Sequence, residues 1–211
     1  MSRFGDDPRA FFDFVYQDTP PWDIGGAQPA MSVLLTEFPP QDPVLDVGCG
    51  SGDLAIHLAQ MGHKVTGIDF VDAAIAHAQQ KAQSLSADVA RLLDFQVADA
   101  LKPSLLNRQF GSIVDSGFYH LFDPDQCDRY IDELALTLVP GGRYYLHAFD
   151  IEFSMPNLPR KISMDEVRER FTTERGWNIL QLRSTEFLSR VAPPVPATIA
   201  CIERRTDRSV E

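Results

Sequence analysis

The sequence is short of cysteine and of positive charge. Its three cysteines are scattered along 211 residues, and their spacing matches neither a disulfide framework nor a zinc-binding pattern, so we expect no metal. Lysine and arginine number 19 against 30 acidic residues, which gives a net charge of −11. An acidic protein lacks the long-range field that attracts phosphate backbones, so no nucleic-acid partner is expected, although composition alone allows a local basic patch.

Long apolar runs, internal repeats and a signal peptide are also missing from the sequence. We therefore expect no membrane anchor and a cytoplasmic location. Hydrophobic residues make up 44% of the chain and charged residues 23%, as in ordinary soluble proteins, and the length suits one α/β domain. This domain is expected to be a monomer or a homodimer.

One glycine-rich stretch organises the rest of the chain. Val44–Val47 is a short apolar run that predicts a buried parallel strand. Gly48, Gly50 and Gly52 follow at alternate positions, and Asp53–Ala59 has the apolar content of a helix. Strand, glycine turn and helix open a nucleotide-binding β-α-β unit, because glycine lets the backbone approach a ligand and the helix N-terminus offers free N–H groups.

The spacing of these glycines separates two kinds of nucleotide site. A dinucleotide fingerprint is G-x-G-x-x-G, whereas this chain has G-x-G-x-G with Asp46 two residues before the first glycine. The next predicted strand ends at Asp69, which follows Gly52 by 17 positions, close to where a ribose-binding acid belongs. The D-x-G-x-G-x-G form resembles motif I of the class I S-adenosylmethionine (SAM)-dependent methyltransferases. The alternatives are an NAD-binding Rossmann domain and an ordinary α/β domain with a tight turn.

Later segments extend the resemblance over residues 9–203. Asp115–Phe122, where a predicted strand ends, resembles family motif IV, and Pro140-Gly141-Gly142 before the next strand is a further family feature. The resemblance implies an α/β fold with a Rossmann-like seven-stranded sheet of order 3-2-1-4-5-7-6, whose last strand is antiparallel, and helices on both faces. It makes residues 1–211 a single domain, with N-terminal helices and a lid at 1–40, a core at 41–203 and a polar tail at 204–211.

The sequence patterns place the elements of this fold. Strands are predicted at 44–47, 63–69, 93–97, 110–115, 139–149, 177–187 and 197–202. Helices are predicted at 9–16, 29–38, 53–59 and 72–85, with two more that begin at the capping boxes of Asp123 and Ser163. Residues 150–162 are predicted to be irregular, and Phe149–Met155 to shape a substrate pocket.

The resemblance also assigns parts of a SAM site to the glycine turn. Gly48 and Gly50 approach the methionine part of the cofactor, together with the backbone of Cys49. The Cys49 thiol itself reads as a small core group. Asp46 supports the turn, or binds the cofactor's ammonium group through water.

Adenosine recognition is assigned to the ends of the next strands. In the family, an acid at the position of Asp69 binds both ribose hydroxyls, and Phe70 would pack on adenine. Asp99 and Ala100 would read the adenine edge, with a turn-forming role as the alternative for Asp99. The cofactor contacts implied at the end of the fourth strand are Asp115 and Ser116.

One segment of the predicted N-terminal loop resembles a particular subgroup of this family. Tyr16–Pro29 contains the string PWDIG-x-x-QP, which is similar to the entry segment of bacterial thiopurine-type and heterocyclic-toxin methyltransferases. In such enzymes this segment closes over SAM and the acceptor, which makes Trp22 a wall of the active site. The alternative is a tryptophan that only covers the core.

The same resemblance predicts methyl transfer to an O, N or S atom of a small aromatic or heterocyclic acceptor. Tyr16, Trp22 and Tyr119 are predicted to face the sulfonium and the acceptor, since aromatic faces attract cations, and Phe149 is a further substrate contact. His120 is the candidate general base, with a purely structural histidine as the alternative. The other functions considered are a protein or RNA methyltransferase on the same fold and a SAM- or nucleotide-binding module without catalysis.

Overall fold

A computed structural model describes residues 4, 7–154 and 158–206 of the chain. The other residues belong to the predicted N-terminal segment, the predicted pocket-shaping loop and the polar tail, and these parts of the predictions, Met155 included, lie outside the described residues.

The elements follow the predicted order along the chain. The helices are α1 (Pro8–Val15), α2 (Pro29–Glu37), α3 (Asp53–Gln60), α4 (Asp72–Gln83), α5 (Ala87–Ala90), α6 (Pro124–Thr137) and α7 (Met164–Arg170). The strands are β1 (Val44–Val47), β2 (Val65–Asp69), β3 (Leu93–Val97), β4 (Phe110–Ser116), β5 (Leu138–Phe149), β6 (Trp177–Phe187) and β7 (Val195–Arg204). Short 3₁₀ turns lie at Pro103–Leu106 and Tyr119–Leu121.

The strands form one seven-stranded sheet of order β3-β2-β1-β4-β5-β7-β6. The first five strands pair in parallel, and β7 runs antiparallel to both β5 and β6. The predicted order and the antiparallel last strand are therefore confirmed. Parallel pairing places the carboxyl ends of β1, β2, β4 and β5 at the same edge of the sheet.

Two apolar layers cover the two faces of this sheet. Neighbouring residues of a strand point to opposite faces, and accordingly Val44 packs in a layer with α2, α3 and α4, whereas Leu45 packs in a layer with α6 and α7. A third, smaller cluster lies beneath α1, where Phe12 and Tyr16 pack against Val71 at the start of α4. The α1 helix thus packs at the start of α4, near the carboxyl end of β2, rather than in either main layer.

Local sequence explains where several helices begin. Asp123 forms a capping box with Gln126, and Pro124 occupies the first position of α6, where its missing N–H needs no partner. Ser163 accepts a hydrogen bond from the Glu166 N–H at the start of α7. The capping box at Asp123 is confirmed. At Ser163 only the N-cap bond is formed, because the Glu166 carboxylate pairs with Arg160 and Arg170 instead of reaching back to the Ser163 N–H.

Three details differ from the sequence predictions. The helix α5 was not predicted, because four residues carry too little periodicity to show one. Strand β5 begins at Leu138 and continues through the predicted Pro140-Gly141-Gly142 turn, with a shift of register against β4. Strand β7 is longer than predicted and includes Val195 and Pro196, which pair with β6. Within the described residues, no helix has the length and apolarity needed to cross a membrane.

Candidate active site

The turn between β1 and α3 has a left-handed backbone at each of its three glycines. Gly48, Gly50 and Gly52 have φ values of 62°, 54° and 84°, a region that other residues seldom adopt. A Cβ on Gly50 would lie 2.6 Å from the Tyr16 hydroxyl oxygen, so the absence of a side chain lets the N-terminal segment approach the turn. The turn is therefore both a bent strand-to-helix connection and a contact surface.

Asp69, at the carboxyl end of β2, holds this turn in place. Its carboxylate accepts hydrogen bonds from the Gly50 N–H at 3.1 Å and the Val71 N–H at 2.9 Å. Burial raises the pKa of Asp69, and these backbone donors oppose that rise because they favour the ionised form. The carboxylate lies at the wall of a cavity, where its remaining lone pairs can accept from a ligand's hydroxyl groups.

That cavity has a volume of about 330 Å³ and lies at the carboxyl edge of the sheet, within the size range of small-molecule sites. The glycine turn and Asp69 form one end, and residues from β5 and the β6–β7 connection form the other. Its floor is closed by the end of β4. Among the predicted site residues, those that line the cavity are Tyr16, Trp22, Gly48, Cys49, Gly50, Asp69, Phe70, Ser116, His120 and Phe149.

The roof of the cavity consists of aromatic rings from the N-terminal segment. Tyr16 and Trp22 meet edge-on with ring centroids 6.2 Å apart. Phe12 meets Trp22 at 6.4 Å and Phe70 at 5.8 Å, both edge-on. Trp22 stays 38% exposed, so it is a partly open wall and not a core plug. Trp22 lines the cavity, and its role in a lid that closes over a ligand stays a prediction.

Stacked rings form the opposite wall. His120 stacks on Phe149 at a centroid distance of 4.4 Å, and Phe187 meets Phe149 edge-on at 4.8 Å. Phe153 contacts the other side of Phe149 at 5.6 Å. This wall therefore presents flat ring surfaces to the cavity.

The predicted role of His120 as general base does not fit its surroundings. Its Nδ1 accepts a hydrogen bond from the Phe149 N–H at 3.1 Å, and the backbone of Gly117 also hydrogen-bonds the ring. Burial, together with the nearby His147 and Arg160, lowers the pKa of His120 to about 3. The ring is therefore neutral, with its hydrogen on Nε2, and its basic lone pair already has a partner.

Tyr119, the neighbour of His120, does not reach the cavity, although we predicted that it would face the sulfonium. It is 1% exposed and packs in the core against Tyr130, Phe122 and Phe171. Burial raises the pKa of its phenol. This prediction is corrected: Tyr119 supports the wall from behind and is not a substrate contact in this structure.

The two acids at the ends of β1 and β4 also lie beneath the cavity rather than in it. Asp115 accepts from the Phe118 and Tyr119 N–H groups and the Tyr144 hydroxyl at 2.8–3.2 Å, and burial raises its pKa to about 7. Burial, then Asp115, raises the pKa of Asp46, and the backbone of Ala55 in α3 opposes that rise. The Asp115 carboxyl group fixes the backbone that bears the cavity wall.

The predicted adenine contacts are likewise outside the cavity. Asp99 is exposed and accepts a hydrogen bond from the Leu101 N–H at 3.0 Å, which is the turn-forming role considered as its alternative. Ala100 is buried in the layer under α6. A contact of either residue with adenine stays a prediction.

Several functional residues were not found from the sequence. Phe187, Leu188 and Ser189 line the cavity, and the antiparallel pairing of β6 with β7 brings them to this edge. Gln28 donates from Nε2 to the Leu188 carbonyl at 3.0 Å and accepts from the Leu188 N–H at 2.9 Å. Its place in the PWDIG-x-x-QP string was the available signal.

The described residues do not support catalysis by a cysteine nucleophile or by a bound metal ion. Burial raises the pKa of the Cys49 thiol, which keeps it protonated and a poor nucleophile. Among the residues that the structure describes, no group of three or more His, Cys, Asp or Glu side chains is placed to hold a metal ion.

Comparisons with known proteins agree with this geometry. The family described as "Methyltransferase domain" matches residues 44–142. The 2-heptyl-1-hydroxyquinolin-4(1H)-one methyltransferase of Mycobacteroides abscessus is 31% identical over 153 residues, which cover 71% of this chain and 66% of that enzyme. The chain spans less than two thirds of the length of several curated relatives that it matches.

Solved structures show the same fold. One similar structure is described as "Conversion of a Disulfide Bond into a Thioacetal Group during Echinomycin Biosynthesis". It has a TM-score of 0.80 and 30% sequence identity, and the match covers 96% of this chain and 95% of the other. The Burkholderia thailandensis 1,6-didemethyltoxoflavin-N1-methyltransferase, with its substrate and S-adenosylhomocysteine bound, has a TM-score of 0.72 and 20% identity over 94% of this chain and 88% of its own.

Proposed function

Because the chain belongs to the class I SAM-dependent methyltransferases, we propose that it transfers the methyl group of SAM to an O, N or S atom of a small aromatic or heterocyclic acceptor. One observation carries the proposal. One partly open cavity is lined by the glycine turn and Asp69, by the aromatic roof, and by the stacked wall of His120 and Phe149. A cofactor and a flat acceptor would meet in the middle of it.

The residues at the turn fit the cofactor. The carboxylate of Asp69 is suited to a ribose diol, and the bent backbone at Gly48 and Gly50 lies at the wall where the methionine part would pass. Phe70 contributes an apolar face beside Asp69. A roof of Tyr16 and Trp22 is suited to a positive charge, since the faces of aromatic rings attract cations.

Bound SAM would supply a methyl group already activated by the sulfonium. The protein then contributes alignment and exclusion of water. Holding two reactants in line is worth up to about 7–11 kcal/mol of the barrier. The apolar roof and wall would keep water from the reacting atoms.

The acceptor end favours a small molecule. Its wall is made of Phe149, Phe153 and Phe187, and the N-terminal segment covers the cavity from above. A protein or RNA acceptor needs an open groove, and RNA also needs basic charge, whereas this chain has a net charge of −11. The similarity to a hydroxyquinolone methyltransferase points in the same direction.

The state of His120 has a consequence for the acceptor. Because its Nδ1 lone pair already accepts from the Phe149 N–H, the ring is not positioned to take a proton from a phenol or thiol. We therefore expect acceptors that are ionised in solution at neutral pH, such as thiolates and acidic hydroxyl groups, to be methylated fastest.

Calorimetric titration with SAM, S-adenosylhomocysteine and NAD in parallel tests the cofactor. Binding of both sulfur ligands without NAD binding is the expected result, and an absence of SAM binding would overturn the proposal. Thiols, phenols and quinolones are then assayed for formation of S-adenosylhomocysteine. Cofactor binding without turnover on any of these acceptors would favour a binding module without catalysis.

A further inference from the structure

A charged cluster joins the N-terminal loop to the glycine turn, and three of its four residues, Asp23, Ser51 and Asp53, also line the cavity. Asp23 follows Trp22 in the loop, and its Oδ2 accepts from the Ser51 hydroxyl at 2.6 Å. Lys81 of α4 donates to Ser51 at 2.9 Å and to Asp53 at 2.8 Å, and lies 3.4 Å from Asp23. We call these four residues, Asp23, Ser51, Asp53 and Lys81, the clasp.

The clasp joins parts that are far apart in the sequence. Ser51 lies inside the glycine turn, and Lys81 lies on the helix that follows Asp69. The Asp23 side chain is 11% exposed, and its other oxygen accepts from the Gly25 N–H at 3.1 Å, which fixes the loop around it. Burial alone would raise the pKa of Asp23, but the hydrogen bonds from the Ser51 hydroxyl and the Gly25 N–H, with the charge of Lys81, outweigh burial and lower that pKa to about 2. The side chain is thus ionised at working pH.

The same loop is also tied to the acceptor end. Gln28 pairs with both backbone groups of Leu188, and the Arg190 side chain donates to the Thr19 carbonyl at 2.9 Å. The Arg190 N–H donates to the Pro21 carbonyl at 2.8 Å. One loop therefore bridges the cofactor end and the acceptor end, with Trp22 between the two attachments.

We propose that Asp23 is a positioning residue, which holds Trp22 and the N-terminal segment closed over the cofactor through Ser51 and Lys81. This inference rests on the proposed function for the identity of the ligand, but not for the closure itself. Asp23 lines the cavity, but its two carboxylate oxygens already accept from Ser51 and Gly25, so the role proposed for it is to fix the position of the loop. Opening the clasp should shorten the residence of the cofactor and leave the turn intact.

Asp23→Ala tests the proposal, with Asp18→Ala as the matched control. Asp18 lies in the same loop, is exposed and accepts only a local hydrogen bond from the Thr19 N–H among the contacts described. Acrylamide quenching of tryptophan fluorescence reports on the loop without any ligand, because Trp177 is 1% exposed and shielded whereas Trp22 is partly open. Quenching should rise in Asp23→Ala and not in Asp18→Ala.

Binding and turnover give the second readout. Asp23→Ala should raise the dissociation constant for S-adenosylhomocysteine and the KM for SAM at least about tenfold, with a smaller change in kcat, because closure favours the bound state without contributing to the chemical step. Asp23→Asn, which retains an acceptor oxygen for Ser51, should recover part of the affinity. Lys81→Met should weaken binding on its own and add little to Asp23→Ala, since both open one clasp.

The outcomes separate the two proposals. Quenching and affinity in Asp23→Ala that match those of Asp18→Ala would overturn the role of the clasp. Wild-type protein that binds no S-adenosylhomocysteine would overturn the proposed function, while the quenching contrast would still decide whether Asp23 closes the loop. If Asp23→Ala does not fold, Lys81→Met is compared with Asp18→Ala in its place, by the same quenching and affinity measurements.

Discussion

The cofactor end of the cavity is held by backbone hydrogen bonds, whereas the acceptor end is held by contacts between rings. At the first, the Asp69 carboxylate fixes the N–H groups of Gly50 and Val71. At the second, Phe149 is positioned by His120 and Phe187. A hydrogen-bonded turn has one geometry, but a ring cluster can be rebuilt with rings of other shapes at small loss of stability. The two ends should therefore respond differently to substitution.

The largest effect is expected from breaking the cofactor end at Asp69. In Asp69→Ala two buried N–H groups lose their acceptor, which should lower the free energy of unfolding by about 2–4 kcal/mol. The ribose partner is lost as well, so the affinity for S-adenosylhomocysteine should fall by about 100-fold or more. Chemical denaturation and calorimetry measure the two quantities.

Asp94→Ala is the control for this change, because Asp94 is exposed on the edge strand β3 and accepts only from the Gln96 side chain among the contacts described. It should alter neither stability nor affinity beyond about 0.5 kcal/mol. Unchanged cofactor affinity in Asp69→Ala would remove Asp69 from the site.

A second substitution separates backbone strain from contact at the turn. In Gly50→Ala the residue must keep φ 54° and its Cβ must move the Tyr16 hydroxyl; in Gly62→Ala the residue keeps φ 99° but meets nothing within 4 Å. Both should lose about 1–2 kcal/mol of stability from the left-handed backbone. Only Gly50→Ala should weaken S-adenosylhomocysteine binding, by about tenfold, as measured by calorimetry. Equal affinity losses would mean that backbone strain alone governs the turn.

The acceptor end should respond differently to the removal of a ring. Phe187→Leu keeps apolar volume but loses its contacts with Phe149 and His147, each worth about 0.5–1.5 kcal/mol. We expect the acceptor KM to rise about threefold to tenfold, with cofactor affinity unchanged. Phe14→Leu, on an exposed part of α1, is the control for ring removal, and steady-state kinetics with calorimetry provide the measurements. A loss of cofactor affinity in Phe187→Leu would show that the two ends are not independent.

The two ends of the cavity also differ in how much of each could be predicted from the sequence. The turn, Asp69 and the strand order were predicted, because they depend on residues close together in the chain and on a resemblance carried by them. The acceptor wall was only partly predicted. The resemblance implied the pairing of β6 with β7, but the register of that pairing decides that the Phe187 side chain reaches the wall, and the sequence does not show the register. The clasp was missed for the same reason, since Asp23 and Lys81 are joined only by the fold.

Tyr119 and His120 show that the sequence does not predict the direction of each side chain within a single turn. Both were predicted to face the substrate, but adjacent residues of the 3₁₀ turn at Tyr119–Leu121 point in different directions, and Tyr119 enters the core while His120 reaches the cavity. Composition does not reveal which of two neighbouring aromatic side chains faces inward. The partner of His120 Nδ1 is a backbone N–H of β5, which is equally invisible in the sequence.

The smallest effect on activity is expected at His120. Asn places an oxygen near the position of Nδ1, so His120→Asn can still accept from the Phe149 N–H, and kcat/KM on an ionised acceptor should stay within about threefold. A general base would instead contribute about 100-fold or more. The rate profile against pH should follow the ionisation of the acceptor in both proteins. A loss of 100-fold, with the removal of one limb of the profile, would restore the general-base role.

Stability gives the complementary test, and its sign is fixed by the direction of the pKa shift. The pKa of His120 is about 3 in the folded protein, against an ordinary value of 6.5. Below pH 6.5 this side chain is therefore protonated in the unfolded chain but stays neutral in the folded protein. Wild-type protein should therefore lose about 1.5 kcal/mol more than His120→Asn between pH 6.5 and pH 5, as measured by denaturation at each pH. His147, with its pKa lowered to about 4 by burial, acts in the same sense and is common to both proteins. Parallel stability curves would mean that the His120 ring takes up protons freely in the folded state, and the case against a basic His120 would then rest on its hydrogen bond to Phe149 alone.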